Sequence, residues 1–317
     1  MTTMTTPFHP EQLRPLLAEL SLDPGESGPA ILAYQSFYGL DMSQQHPGVQ
    51  ARLGCMRVAD YEIAVQGWWH DQPRATLLVL HGYYDHMGLY RHAIDWALSM
   101  NFAVLSCDLP GHGLSSGPRA SIDDFAEYQA VLKALLDQAR RLDLPQPWHM
   151  LGQSTGGAIV LDHLLNGQPG AEIGEAILLA PLVRPCSWKM SHLTYRLVGP
   201  FVRALPRRFS ANSGDEAFLT FLQHHDLLQP RELPSRWVGA LARWIPRIEK
   251  ASPSLHRPII IQGEQDFTVD WRHNLQVLEQ KFDKPEVLRL PEARHHLVNE
   301  TEALRQRYFD FLRERLT

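Results

Sequence analysis

The chain is poor in the features that would set it apart from ordinary globular proteins. Its 317 residues hold three cysteines, Cys55, Cys107 and Cys186, odd in number and widely spaced. That pattern supplies no disulfide framework and points to a reduced, cytoplasmic compartment. No apolar run approaches the roughly 18 residues that a membrane-spanning helix needs. The first ten residues lack both a basic and an apolar stretch, so a secretory leader is not expected. There is no internal repeat, no low-complexity tract and no excess of cations. The net charge of −5 gives no general reason to bind nucleic acid. What remains is a chain 44% hydrophobic and 21% charged. It is long enough to bury a core without staples and to hold one large α/β domain with an insertion.

Hydrophobic patterning supports that class. Segments 51–58 and 61–69 read as an antiparallel hairpin. Segments 75–80 and 102–107 are continuous apolar runs, as expected of strands buried on both faces. Further strands are expected from 148 up to a turn at Gly152, and at 177–180, 258–262 and 287–290. Helical spacing appears over 11–20, 90–100, 125–139, 158–165, 270–282 and 301–316. Ser121 to Asp124 reads as the capping start of the 125–139 helix, and Asn299 as the cap of the last. Strands alternating with helices predict a mostly parallel sheet. The alternation breaks at 183–250, where aromatic-rich amphipathic helices are interrupted by Pro200, Pro206, Pro230, Pro234 and Pro246. The expected organisation is an N-terminal extension (1–50), a core (51–182 and 251–317) and an inserted helical cap (183–250).

The chemistry centres on Gly152-Gln153-Ser154-Thr155-Gly156, a G-x-S-x-G turn between a strand and a helix. Such an elbow crowds the positions two before and two after the serine, and glycine occupies both. It lifts the serine hydroxyl clear of the sheet and aims the next N–H, that of Thr155, at a developing oxyanion. A serine nucleophile needs a base, and the base an orienting acid. In an α/β sheet these belong at the carboxyl ends of strands. His295 follows the last strand, and Asp266 follows the strand before it. His296 and Asp270 are the neighbouring alternatives, Asp270 better suited to cap the next helix. After 75–80 comes His81-Gly82-Tyr83-Tyr84-Asp85-His86, where the Tyr83 N–H would be a second oxyanion donor. The same stretch partly matches an H-x-H-x-D-H dinuclear metal motif, but Tyr83 replaces a ligand. No metal or other cofactor is therefore expected.

These motifs, with Asp108-Leu-Pro-Gly-His-Gly-Leu-Ser115, Gly263-x-x-Asp266-x-x-Val269 and Ala293-Arg294-His295, resemble the α/β-hydrolases of the monoacylglycerol lipase and lysophospholipase group. That group is related to serine aminopeptidase-like hydrolases. The resemblance covers about 77–311 and implies an α/β-hydrolase fold, a helical cap, and a Ser154–His295–Asp266 triad. The sequence departs from the group at Gln153 and Thr155, where His and Met are frequent, and at Tyr84 and Asp85, where Gly and Glu are.

The expected activity is hydrolysis of carboxylic esters, of monoacylglycerol or lysophospholipid type, through an acyl-enzyme. The alternatives are a serine peptidase and a non-catalytic protein that binds a small ligand. Charge is uneven: 183–250 holds eleven Lys and Arg against five Asp and Glu, a net +6, and the remainder is −11. A basic cap paired with an acidic core is one reading. Contact of the cap's basic face with anionic lipid or with a phosphate-bearing substrate, its aromatics lining an acyl pocket, is the other.

Overall fold

The computed structural model describes residues 8–21, 27–199 and 201–316. The first half of the chain forms α1 (Pro10–Leu13), α2 (Pro29–Tyr38), β1 (Gln50–Val58), β2 (Tyr61–Trp69), β3 (Ala75–Leu80), α3 (Arg91–Ser99), β4 (Phe102–Cys107) and α4 (Phe125–Arg141). Next come β5 (Trp148–Gln153), α5 (Thr155–Asn166), β6 (Ile173–Leu179), α6 (Trp188–Val198), β7 (Ala204–Pro206), α7 (Glu216–His224), β8 (Glu232–Pro234) and α8 (Ser235–Lys250). The chain closes with β9 (Ile259–Gly263), α9 (Trp271–Lys281), β10 (Glu286–Leu290) and α10 (Glu302–Arg313). No helix among the described residues is long and apolar enough to cross a membrane.

Eight strands form one sheet in the order β1-β2-β4-β3-β5-β6-β9-β10. β1 and β2 pair antiparallel, as does β2 with β4, and the remaining pairs are parallel. Every residue of β3, β4 and β5 is buried, which is why β3 and β4 read as continuous apolar runs. Successive side chains alternate between the two faces. Leu78 and Leu80 join a layer with Tyr128, Leu132, Ile159 and Trp244, whereas Leu77 and Val79 join Ile94, Phe102 and Tyr308. Phe8, Leu13, Tyr34 and Tyr38, from the N-terminal residues, complete the second layer.

Several local expectations are corrected. The helix expected over 11–20 ends its α-turn at Leu13 and tightens to a 3₁₀ turn over Arg14–Leu16. Pro15 cannot donate to the helical ladder, and residues 18–20 run instead along β1, with Cys55 N–H donating to Ala18 O (2.7 Å). Helix α2 had no counterpart in the sequence reading. The capping box of α4 is Asp124 with Glu127, one turn later than expected. Asn299 does not cap α10: it donates to Leu89 O (2.8 Å), and Thr301 takes the N-cap position without a side-chain bond. Between β6 and β9, the 183–250 segment contributes α6, α7 and α8, and also a two-stranded antiparallel ribbon, β7 with β8. Pro246 lies inside α8 without ending it, while Pro206 and Pro234 sit in the ribbon. Pro200 and the connection at 22–26 lie outside the described residues, as do residues 1–7 of the N-terminal reading.

Candidate active site

The Ser154 backbone holds φ +53°, ψ −109°, a region that a non-glycine residue enters only under constraint. The constraint is visible on all sides. Ser154 N–H donates to Leu179 O (2.8 Å), and Ser154 O accepts from Ala158 N (2.9 Å) and Leu182 N (3.1 Å). A Cβ on Gly152 would fall 2.4 Å from the Gly156 carbonyl, and one on Gly156 would fall 2.1 Å from Leu80 O. The two glycines therefore let β5, α5 and β3 approach closely enough to hold the turn.

Three loops at the ends of β5, β9 and β10 converge on this turn. His295 Nε2 lies 3.0 Å from Ser154 Oγ, and His295 Nδ1 lies 2.7 Å from Asp266 Oδ2. Because the carboxylate only accepts, Nδ1 carries the proton and Nε2 is left to accept from the serine hydroxyl. Asp266 is set by its own loop: Oδ1 accepts from Thr268 N (2.8 Å) and Val269 N (3.1 Å), leaving Oδ2 for the ring. Burial opposes its ionisation, but His295 and those two N–H groups outweigh it and hold the carboxyl below its ordinary value. Gln153, beside the serine, donates from Nε2 to His295 O (2.9 Å) and so ties the elbow to the histidine loop. Asp270 stands apart from this set and caps α9 through His273 N (3.3 Å).

Tyr83 and Thr155 line the same cavity as Ser154, and among the described residues neither backbone N–H has an acceptor. The Tyr83 ring is fixed by stacking on Trp237 (centroids 3.7 Å apart) and by its hydroxyl donating to Ala120 O (2.8 Å). Tyr84, next in the loop, holds φ +71°. The loop is pinned from beneath. Tyr90 hydroxyl accepts from Gly82 N (2.8 Å) and donates to Asp85 Oδ2 (3.0 Å). His296 Nε2 lies 3.1 Å from the same Asp85 oxygen. Burial works against the Asp85 charge, yet His296 holds the carboxyl well below its ordinary range. His296 is thus neither a surface residue nor in contact with the serine. It links the β10 loop to the β3 loop, a role that adjacency in sequence could not reveal.

The other histidines of this loop are structural. His81 Nδ1 donates to Gly82 O (2.7 Å) and Nε2 accepts from Leu109 N (2.8 Å), while burial pushes its pKa down. His86 Nε2 faces Asp226 at 3.1–3.2 Å, and Nδ1 accepts from Gly88 N (3.2 Å). Asp226, just past α7, also accepts from Tyr38 hydroxyl (2.7 Å), Gln229 Nε2 (2.7 Å) and Leu228 N (3.0 Å). A fully buried clasp therefore joins α2, the β3 loop and the 183–250 segment. Among the described residues no group of three or more His, Cys, Asp or Glu is placed to hold a metal ion.

The cavity over Ser154 measures ≈ 250 Å³ and is walled by Tyr84, Arg207, Phe209, Leu222, Leu233 and Trp237 from above. Leu233 also lines a second, apolar cavity of ≈ 270 Å³ between α6 and α8, walled by Met190, Tyr195, Val198, Val202 and Val238.

A family model described as "Serine aminopeptidase, S33" matches residues 71–302. The chain is 35% identical over 114 residues to phospholipase YtpA of Bacillus subtilis, a match covering 36% of this chain and 43% of that protein. It is 25% identical over 235 residues to human monoglyceride lipase, covering 72% and 77% of the two chains. Among solved structures it is similar to a soluble variant of monoglyceride lipase from Saccharomyces cerevisiae, with a TM-score of 0.71 at 19% identity, over 84% of this chain and 94% of that one. The last is a likeness of fold alone.

Proposed function

The chain belongs to the serine aminopeptidase, S33 family of α/β-hydrolases, and we propose that it is a carboxylic ester hydrolase acting on monoacyl lipids through an acyl-enzyme on Ser154. The observation that carries this reading is His295, placed 3.0 Å from Ser154 Oγ and 2.7 Å from Asp266. Ser154 Oγ attacks the ester carbonyl while His295 Nε2 takes its proton. The resulting imidazolium is stabilised by Asp266, which stays ionised. The carbonyl oxygen becomes an oxyanion facing the free Tyr83 and Thr155 N–H groups, whose alignment costs no reorganisation during the reaction. As the tetrahedral intermediate collapses, His295 returns the proton to the leaving alcohol. Water, deprotonated by the same nitrogen, then attacks the acyl-enzyme, and as this second intermediate collapses His295 returns the proton to Ser154 Oγ and the acid is released. No cofactor takes part in these steps.

Lipid esters are favoured by the apolar cavity between α6 and α8, which shares Leu233 as a wall with the cavity over Ser154. An acyl chain entering it would gain about 0.8 kcal/mol per buried CH₂. The 183–250 segment serves in this reading as a cap over the site. Peripheral contact with a lipid surface is supported by α6, which buries no residue and exposes Met190 (66%), Leu197 (65%) and, just beyond it, Phe201 (87%).

The test is covalent. A fluorophosphonate should label the protein, and Ser154→Ala should abolish labelling and nearly all ester turnover. The residue of catalysis, on the order of 10³-fold over water, is what binding and the N–H pair supply. Undiminished labelling of Ser154→Ala would dismiss the assignment. Rates on monoacyl glycerol esters should rise with chain length over several carbons. Faster cleavage of aminoacyl amides than of these esters would favour the peptidase reading.

A further inference from the structure

Several cations of the 183–250 segment face carboxylates: Arg184 reaches Glu249 (2.5 Å), Arg236 and Arg243 lie against Asp123 and Asp124, and Arg247 bonds Asp162. Arg207 is different. It is half-buried in the wall of the cavity over Ser154, and no Asp or Glu among the described residues lies within ion-pair distance. Its guanidinium stacks on Tyr84 (4.1 Å to the centroid) and Phe209 (4.4 Å), and one nitrogen donates to Pro230 O (3.2 Å) and to Gln229. These neutral contacts orient the fork without neutralising it.

A cation drawn partly out of water needs compensation, and burial does push the Arg207 pKa down. The cavity wall offers little. Its one carboxylate is Asp85, already against His296, while Arg208 adds a second positive charge. A low-dielectric cleft lined by cations concentrates anions, and an oriented guanidinium suits a phosphate. The apolar cavity on the other side of Leu233 suits an acyl chain, whereas the cavity over Ser154 itself carries Arg207, which suits the alcohol side of the ester.

We propose that Arg207 selects monoacyl esters whose alcohol portion carries a phosphate, binding that phosphate inside the cavity. The inference rests on the ester-hydrolase reading above and deepens it. The phosphate could belong to a freely dissolved ester or to one held in a lipid surface, and the experiment separates these.

Decanoyl glycerol phosphate and decanoyl glycerol are compared as dissolved monomers. The unaltered protein should show the higher kcat/KM on the phosphate ester. Arg207→Gln should lower the phosphate-to-neutral ratio about ten- to a hundredfold, the range of a hydrogen-bonded charge contact. Arg207→Lys, which keeps the charge and loses the fork, should fall between. Arg203→Gln, on an exposed cation outside the cavity wall, should leave the ratio where it was. Fluorophosphonate labelling checks that each variant is folded. If both substrates lose equally in Arg207→Gln, the arginine only braces its loop and the proposal falls. It falls also if Arg207 matters solely for neutral ester presented in anionic vesicles, which would make it a surface attractor. Protection of Ser154 from labelling reads binding without turnover. Arg207-dependent protection by a phosphate ester that is never cleaved would keep the anion site and overturn the ester reading, whereas cleavage of the neutral ester with no phosphate preference would do the reverse.

Discussion

The loops at the strand ends and the segment that overlies them are built on opposite terms. Ser154, Asp266 and His295 are 8%, 3% and 5% exposed, and the Ser154 backbone and the Asp266 carboxylate are each fixed by hydrogen bonds to neighbouring backbone. Helix α6, in the overlying segment, buries nothing. The contrast separates two demands on one site. Proton transfer needs atoms placed to within a few tenths of an ångström, and a crowded, buried turn supplies that. In the proposed reading, admission of a long apolar substrate needs a wall that can be displaced, and α6, which buries no residue, supplies one, whereas α8 of the same segment is packed against the core. The two regions meet at a few strong points: the α8 ion pairs, the Trp244 Nε1 bond to Asp162 (2.8 Å), and the buried clasp at Asp226.

The comparison is broken most severely at the strand ends. His295→Ala and Asp266→Asn should each lower turnover by about 10⁴-fold, since the base is lost or held in the wrong tautomer. His296→Ala, which disturbs only the loop linkage to Asp85, should cost far less. Steady-state kinetics on one soluble ester decides it, and a larger loss in His296→Ala would exchange the roles of the two histidines.

The next largest effect is on stability, at the clasp. Asp226→Ala would leave Tyr38 hydroxyl, His86 Nε2 and Gln229 Nε2 without their shared acceptor. About 3 kcal/mol of unfolding free energy should be lost, read from urea melts. Tyr38→Phe removes one donor from the same carboxylate and should cost about 1–2 kcal/mol. A neutral Asp226→Ala would mean that the segment is held by α8 alone.

Acid should distinguish the regions more gently. Asp85 and Asp266 in the loops and Asp226 in the clasp are all held below the ordinary carboxylate range. Burial opposes each charge, and a facing histidine outweighs it. With the folded pKa depressed, the unfolded chain takes up protons first as pH falls. The stability these groups contribute is therefore present above the ordinary carboxylate pKa of about 4 and is lost as pH drops through the folded values. The melting temperature should fall with pH below about 4, and Asp226→Asn should flatten part of that dependence. An unchanged slope would remove the clasp from the account.

How much of this was legible in the sequence follows the same division. Strands β3 and β4 announced themselves as apolar runs because both faces of the sheet are covered. Gly152, Ser154 and Gly156 were readable because the elbow is local, and Asp266 and His295 because strand ends are where such groups converge. The Asp85–His296 linkage and the Tyr38–Asp226–His86 clasp left no local trace. Each joins residues from separate segments, up to 211 positions apart across Asp85 and His296, and no periodicity encodes such a pairing. Arg203, Arg207 and Arg208 were equal members of one basic cluster in the sequence. Only the fold distinguishes Arg207, by turning it into the cavity wall between Tyr84 and Phe209. Helix α2 escaped because its apolar residues lie on most faces and Gly28 precedes it without a side-chain cap.

The smallest effect on stability should come from α6, and it sharpens the comparison most. Leu193 and Leu197 are 51% and 65% exposed, so replacing both with serine removes little packing. The urea midpoint should shift by no more than about 0.5 kcal/mol of free energy. If α6 touches a lipid surface, the same double variant should bind vesicles more weakly and cleave vesicle-held ester more slowly, with turnover of a dissolved short ester far less affected. Adding charge reversals at the exposed Arg203 and Arg208 should reduce binding to anionic vesicles further, and the loss should shrink as salt is raised. Equal losses on dissolved and vesicle-held ester would place the two leucines in the cavity rather than on the surface. No vesicle binding by the unaltered protein would end the membrane reading and leave the chemistry at Ser154 untouched.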